Sequence, residues 1–129
     1  MSDVAASQSF NVTRAGLVRY AGASGDFNPI HYSDRVATAV GLPGVIAHGM
    51  FTMALGARVL TDWVGDPARL LSYSVRFTKP VVVPDDDIGA TVDFEIVSIP
   101  GEDGTARVDL TARCGEDKVL GRARATVRL

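Results

Sequence analysis

The sequence predicts an α+β fold in which an antiparallel β-sheet wraps around one long helix. Two observations carry that expectation. The stretch from His48 to about Val64 is apolar on nearly every side, which is the composition of a helix enclosed by other structure. After residue 65 the chain changes to alternating apolar and polar residues, the pattern of strands with one buried face. With 129 residues the chain suits a single domain spanning 1–129, since domains run to roughly 100–200 residues.

Gln8 to Val12 reads as a short first strand. Thr13 can cap a helix running to about Ala23, with Leu17, Val18, Tyr20 and Ala21 on its apolar side, and Gly25 stops it. Gly25 to His31 contains Asp26, Asn28 and Pro29 and is expected to be irregular. Ser33 can cap a short helix, Asp34–Val40, ended by Gly41, and Pro43 and Gly44 continue the loop. The long helix carries Met50, Phe51, Met53, Ala54, Leu55, Ala57, Val59, Leu60, Trp63 and Val64, and Gly65, Asp66 and Pro67 end it. Four alternating sets follow: Leu71/Tyr73/Val75/Phe77, Val92/Phe94/Ile96, Val108/Leu110/Ala112 and Ala123/Ala125/Val127/Leu129. Turn residues separate them at Pro84–Asp87, Pro100–Gly104 and Gly115–Lys118.

Composition narrows the function. Thirteen basic against fifteen acidic residues leave a net charge of −2, without the cationic excess needed to neutralise phosphates, so no nucleic-acid partner is expected. The single cysteine, Cys114, cannot form an internal disulfide, which fits a reducing compartment. The opening residues MSDVAASQSF show no signal-peptide pattern. The most apolar stretch, from Val40 to Leu60, is interrupted by Pro43, His48 and Arg58. A span of the membrane needs about 20 apolar residues, so a cytoplasmic protein with no membrane partner is expected.

Two segments carry residues able to do chemistry. In Ser24-Gly25-Asp26-Phe27-Asn28-Pro29-Ile30-His31, Asp26 and His31 are five residues apart across turns forced by Asn28 and Pro29. A carboxylate and an imidazole aimed into one space can share acid–base work. The same residues also serve an ordinary loop, in which Asp26 makes a local turn and His31 is a satisfied histidine. In Ala47-His48-Gly49-Met50, Gly49 opens the long helix. Its unpaired backbone N–H at the positive helix end suits an oxyanion hole, while a glycine there equally relieves crowding. His31, His48 and Cys114 lack metal-ligand spacing, and Gly22–Gly25 is no phosphate loop. No metal and no cofactor are therefore expected. Asp85-Asp86-Asp87 reads as a solvated turn able at most to hold a cation weakly.

The stretch from Tyr20 to Ala37 resembles the signature of the MaoC-like, or hydratase 2, family. Tyr20, Ser24, Gly25, Asp26, Asn28, Pro29, Ile30, His31 and Ala37 fit its pattern, and Ala23 departs mildly from it. Ala47–Met50 is similar to the family's helix start, and Val75-Arg76-Phe77-Thr78-Lys79-Pro80-Val81 to the strand and kink that follow. Pro84-Asp85 stands where Gly-Asp is usual, and the first strand or its preceding arm looks reduced. Trp63–Pro67 resembles one branch, the beta subunit of actinobacterial (3R)-hydroxyacyl-carrier-protein dehydratases.

The resemblance implies a hot-dog fold and reversible hydration of a trans-2-enoyl thioester to the (3R)-3-hydroxyacyl thioester, carried on coenzyme A or acyl carrier protein. It assigns Asp26 and His31 to acid–base work on the water, Asn28 to orienting them, and the Gly49 N–H to the oxyanion. The acyl chain would run past Met53 or Leu55, and the chain would pair with a second copy or a related subunit. Two alternatives stay open: a hot-dog thioesterase, which would need a carboxylate that Met50–Leu60 lacks, and a non-catalytic acyl-tunnel subunit, which would not need Asp26 and His31.

Overall fold

The computed structural model describes residues 3–129. The chain forms β1 (Ala6–Val12), α1 (Arg14–Ser24), α2 (Asp34–Ala39), α3 (Gly49–Val64), β2 (Leu70–Phe77), β3 (Ala90–Pro100), β4 (Thr105–Cys114), β5 (Asp117–Lys118) and β6 (Leu120–Arg128). Single 3₁₀ turns lie at Pro29–His31 and Pro67–Arg69. The antiparallel sheet runs β1-β3-β4-β6-β2, with β5 paired to β4. This is the expected α+β architecture, a sheet with one long helix packed against it.

Alternation dictates the register. Val92, Phe94 and Ile96 of β3, Val108, Leu110 and Ala112 of β4, and Ala123, Ala125 and Val127 of β6 are all buried. Phe94 faces Ala112 and Val108 faces Ala125 across neighbouring strands, so at these two pairs a larger residue sits opposite an alanine. β1 is not reduced: its seven residues pair with β3 along their full length.

The helix departs from the expectation of burial on nearly every side. Only Thr52, Gly56, Val59 and Leu60 are buried along α3, while Met50 is 57% exposed. The reason is geometric: the sheet covers one side of the cylinder, and the opposite side lies open. Burial of Val59 and Leu60 contributes roughly 1.5–3 kcal/mol each. Gly56 permits the close approach. A Cβ there would strike the Tyr73 hydroxyl and lie 2.7 Å from Leu110. The Tyr73 hydroxyl donates to the Met53 carbonyl at 2.9 Å, and burial raises its pKa.

β2 likewise departs from a one-sided pattern. Tyr73 and Val75 are half-buried, but Leu71 and Phe77 are exposed. β2 has β6 as its sheet neighbour and leaves its other edge free.

A contact invisible to local pattern sets up the site. Val45–Ala47 runs antiparallel to Val81–Val83, with Ala47 N donating to Val81 O and Val83 N to Val45 O, both at 2.9 Å. Arg14 Nε donates to Val83 O at 2.7 Å, and its guanidinium meets Asp34 Oδ1 at 2.9 Å. That same Asp34 oxygen accepts from Val45 N at 3.0 Å. The Val45 N–H, then Arg14, hold the Asp34 carboxyl below the usual carboxylate range. One ion pair thus ties α1 and α2 to the segment that leads into α3.

Candidate active site

The loop after α1 is built from short local hydrogen bonds. Gly25 takes the left-handed conformation, φ 78°, that ends α1. Ser24 Oγ accepts from Asp26 N, Asp26 Oδ1 from Asn28 N, and Asn28 Oδ1 from Ile30 N, each at 3.2 Å. Such side-chain-to-backbone bonds are what Ser, Asp and Asn offer in turns. Asn28 therefore holds the turn of Pro29–His31 with its side chain and the Asp26 carboxylate with its backbone.

His31 lies on the floor of this loop, 8% exposed. Its Nδ1 is 2.7 Å from the Ile46 carbonyl oxygen. A carbonyl only accepts, so Nδ1 carries the hydrogen and the neutral ring keeps its lone pair on Nε2. That nitrogen is 3.9 Å from Asp26 Oδ2, longer than a hydrogen bond but within ion-pair range. Asp26 is half exposed at the mouth. A polar hydrogen entering between them would meet two proton acceptors.

Beside this loop lies the start of α3. His48 is its N-cap residue and Gly49 its first helical residue. The Gly49 N–H therefore has no partner within the helix. A Cβ on Gly49 would lie 3.0 Å from the Phe77 ring, so both readings of this glycine have a physical basis: it keeps a donor approachable, and it makes space for Phe77. A groove of about 280 Å³ opens here, with Gly49, Thr52, Phe77, Thr78, Lys79 and Val81 among its walls. Lys79, at this groove, also meets Asp117 at 3.2 Å.

The structure also brings His48 against the candidate pair, which sequence spacing does not reveal. Its ring is 2% exposed and stacks on His31, with centroids 3.8 Å apart and planes at 22°. Nε2 is 3.1 Å from the backbone oxygen of Asp26. Burial, more than any other influence, pushes its pKa down. Tyr20 packs edge-on against it at 4.8 Å and leads on to Phe51. The available signal was its place beside Gly49, since a residue flanking a helix start necessarily sits near the site that the helix end serves.

Asp26, His31 and His48 each bring a possible metal-ligand atom within 4.8 Å of the others, a grouping that the separations in sequence do not suggest. The set does not fit an ion well. Ring lone pairs lie in the ring planes, so two stacked, near-parallel imidazoles do not aim at one point. Cys114 lies on β4, its thiol pKa raised by burial and then by Asp117 and Asp93. Asp86 spends Oδ1 on Ile88 N and Gly89 N, which makes the acidic run a hydrogen-bonded turn. Among the described residues no helix is long and apolar enough to cross a membrane.

Comparison with known proteins gives a consistent result. The family model "MaoC like domain" matches residues 2–117. The chain is 47% identical over 73 residues to 3-hydroxyacyl-thioester dehydratase X of Mycobacterium tuberculosis, covering 57% of this chain and 25% of that protein. It is 32% identical over 110 residues to 3-hydroxybutyryl-CoA dehydratase of Methylorubrum extorquens, covering 84% and 68%. A solved MaoC-like dehydratase superposes with a TM-score of 0.91 at 39% identity, over 100% of this chain and 40% of that one. The (R)-hydratase of A. caviae shares the fold, with a TM-score of 0.83 at 23% identity over 99% of this chain and 95% of that one. The chain spans only a quarter of the M. tuberculosis relative and 3% of the fatty acid synthase subunit beta of Saccharomyces cerevisiae.

Proposed function

The chain belongs to the MaoC-like domain family, and from that premise we propose that residues 1–129 act as one hot-dog hydro-lyase unit. Its reaction is the reversible (R)-specific hydration of a trans-2-enoyl thioester to the (3R)-3-hydroxyacyl thioester in fatty-acid metabolism. The observation that carries the reading is the placement of His31 Nε2 3.9 Å from Asp26 Oδ2, with Nδ1–H committed to the Ile46 carbonyl.

The chemistry follows from those groups. A water held between Asp26 and His31 gives up a proton to the pair as its oxygen bonds to Cβ of the enoyl group. The π-electrons move through Cα to the thioester oxygen, and the Gly49 N–H at the positive end of α3 stabilises the enolate. The same pair then delivers a proton to Cα, so water has been added across the double bond. Dehydration reverses these steps. Asn28 keeps the Asp26 carboxylate on its bearing through its backbone N–H. The half-buried Met53 and Leu55, on either flank of the buried face of α3, offer apolar surface for the acyl chain.

The carrier is coenzyme A or acyl carrier protein, and the compartment is the cytoplasm, which suits a single free thiol. The exposed edge of β2, with Leu71 46% and Phe77 55% exposed, supports pairing with a second copy or a related hot-dog subunit, because an uncovered strand edge invites another strand. Sedimentation should therefore show a dimer, and a stable, fully active monomer would contradict the pairing. The activity is tested by mixing the protein with crotonyl-CoA and crotonyl-carrier protein and following the enoyl absorbance. Its loss, with (3R)-3-hydroxybutyryl thioester as product, is expected; an unchanged absorbance on both carriers would refute the proposal.

A further inference from the structure

We propose that His48 is a positioning residue that fixes the Asp26 loop against the start of α3, and so sets the acid–base pair in register with the Gly49 N–H. The inference rests on the hydration reading above and concerns a residue which that mechanism leaves without a role.

Four observations carry it. His48 occupies the N-cap position of α3 yet makes no side-chain cap bond to its own helix. Its ring turns instead to the loop, where Nε2 meets the Asp26 backbone oxygen 22 residues away at 3.1 Å. A carbonyl only accepts, so Nε2 carries the hydrogen and the neutral ring holds a lone pair on Nδ1. That Nδ1 is buried without a partner. A residue present only to fill space would not carry this cost, because phenylalanine fills similar space with no polar atom to strand. The ring also stacks on His31 at 3.8 Å, so it touches both members of the pair, and it is joined by one peptide bond to Gly49. The far end of the loop is tied to Ile46, through His31 Nδ1 and through the Ile30 carbonyl, while its start is held by bonds within the loop; the His48 bond is the tether from Asp26 to the helix.

Two substitutions separate the donor from the ring. His48→Phe keeps a stacked ring and removes the N–H; His48→Gln keeps an amide N–H near the same place and removes the stack. With crotonyl-CoA we expect His48→Phe to lower kcat by about 10–100-fold at nearly unchanged KM, and His48→Gln to recover most of that loss. Equal losses in both variants, or losses matching only the unfolded fraction seen by circular dichroism, would overturn the proposal.

A second measurement does not need activity. Backbone ¹H–¹⁵N spectra report on the loop directly. His48→Phe should speed hydrogen exchange at the Asn28 and Ile30 amides, whose N–H groups close the bonds of the loop, and His48→Gln should leave exchange near the wild-type rate. Wild-type exchange in His48→Phe would refute the tether even in a protein that turns over no thioester. Inactivity of the wild type with an intact tether would instead refute only the hydration reading.

Discussion

The two segments of the candidate site, the Asp26 loop and the entry to α3, are built by opposite means. The Asp26–His31 loop is exposed from Asp26 to Asn28, where bonds between residues two apart shape it, and meets Ile46 at its far end. The entry to α3 is largely buried and is shaped by partners distant in the chain: Val81–Val83, Arg14 and Asp34. Locally coded geometry tolerates change around it, whereas geometry coded at long range fails when a remote partner is lost. The difference predicts that substitutions on the loop remove activity and spare the fold, while substitutions around the helix entry disturb both.

The largest effect should come from the loop. Asp26→Asn and His31→Ala should each lower kcat/KM by on the order of 10²–10⁴, the usual loss for a general acid or base. Circular dichroism melting should move little for Asp26→Asn, since Asn keeps an oxygen for the Asn28 N–H. Near wild-type turnover in either variant would break the assignment. Gly49→Val comes next. Its Cβ would press on the Phe77 ring at 3.0 Å, but that ring is 55% exposed and can swing outward. Activity per folded molecule should therefore fall by roughly 10²–10³, comparable with loss of an oxyanion donor, with a modest shift in melting temperature. An unstable variant that stays active per folded molecule would reduce Gly49 to a packing residue.

The smallest effect should be Asp34→Asn, which keeps the shape and removes the charge. The folded-state pKa of Asp34 is lowered, so its contribution to stability is present above the unfolded carboxylate value of about 3.9 and is lost as pH falls through the folded value. Asp34→Asn should lower the melting temperature by a few degrees at pH 7, and the gap from wild type should close below about pH 4. A gap independent of pH would show that hydrogen-bond geometry, not charge, sustains the tie. His48 sharpens the acid side of the same comparison. Burial lowers its folded pKa, so the stability linked to it is present above about pH 6.5 and is lost as pH falls toward the folded value. His48→Gln should flatten the stability profile in that window.

The same distinction explains what could be read from the chain alone. Alternation at Val92/Phe94/Ile96 and Val108/Leu110/Ala112 maps directly onto burial because a strand's facing repeats every second residue. Gly25, Asp26 and Asn28 announce their turn because their own side chains and backbone make it. By contrast, nothing near Ile46 signals that its carbonyl will accept from His31. Nothing near Phe77 signals that its ring will close on Gly49. The apolar composition of α3 suggested enclosure, yet one sheet covers only one side, and Met50 stays exposed. Those facts depend on the meeting of segments 15 to 30 residues apart, which periodicity does not encode.

The order of the strands has a consequence for truncation. The first strand, β1, is an outer strand whose one sheet neighbour is β3. The last, β6, lies between β4 and β2. A stop codon at residue 120 would leave β2 without its sheet neighbour, and with it Phe77, the side chain set against Gly49. Nine residues outside the candidate site thus hold Phe77 against the start of α3, so loss of residues 120–128 should read in a genetic screen as a loss of function, while a deletion of similar size before Val12 should be better tolerated.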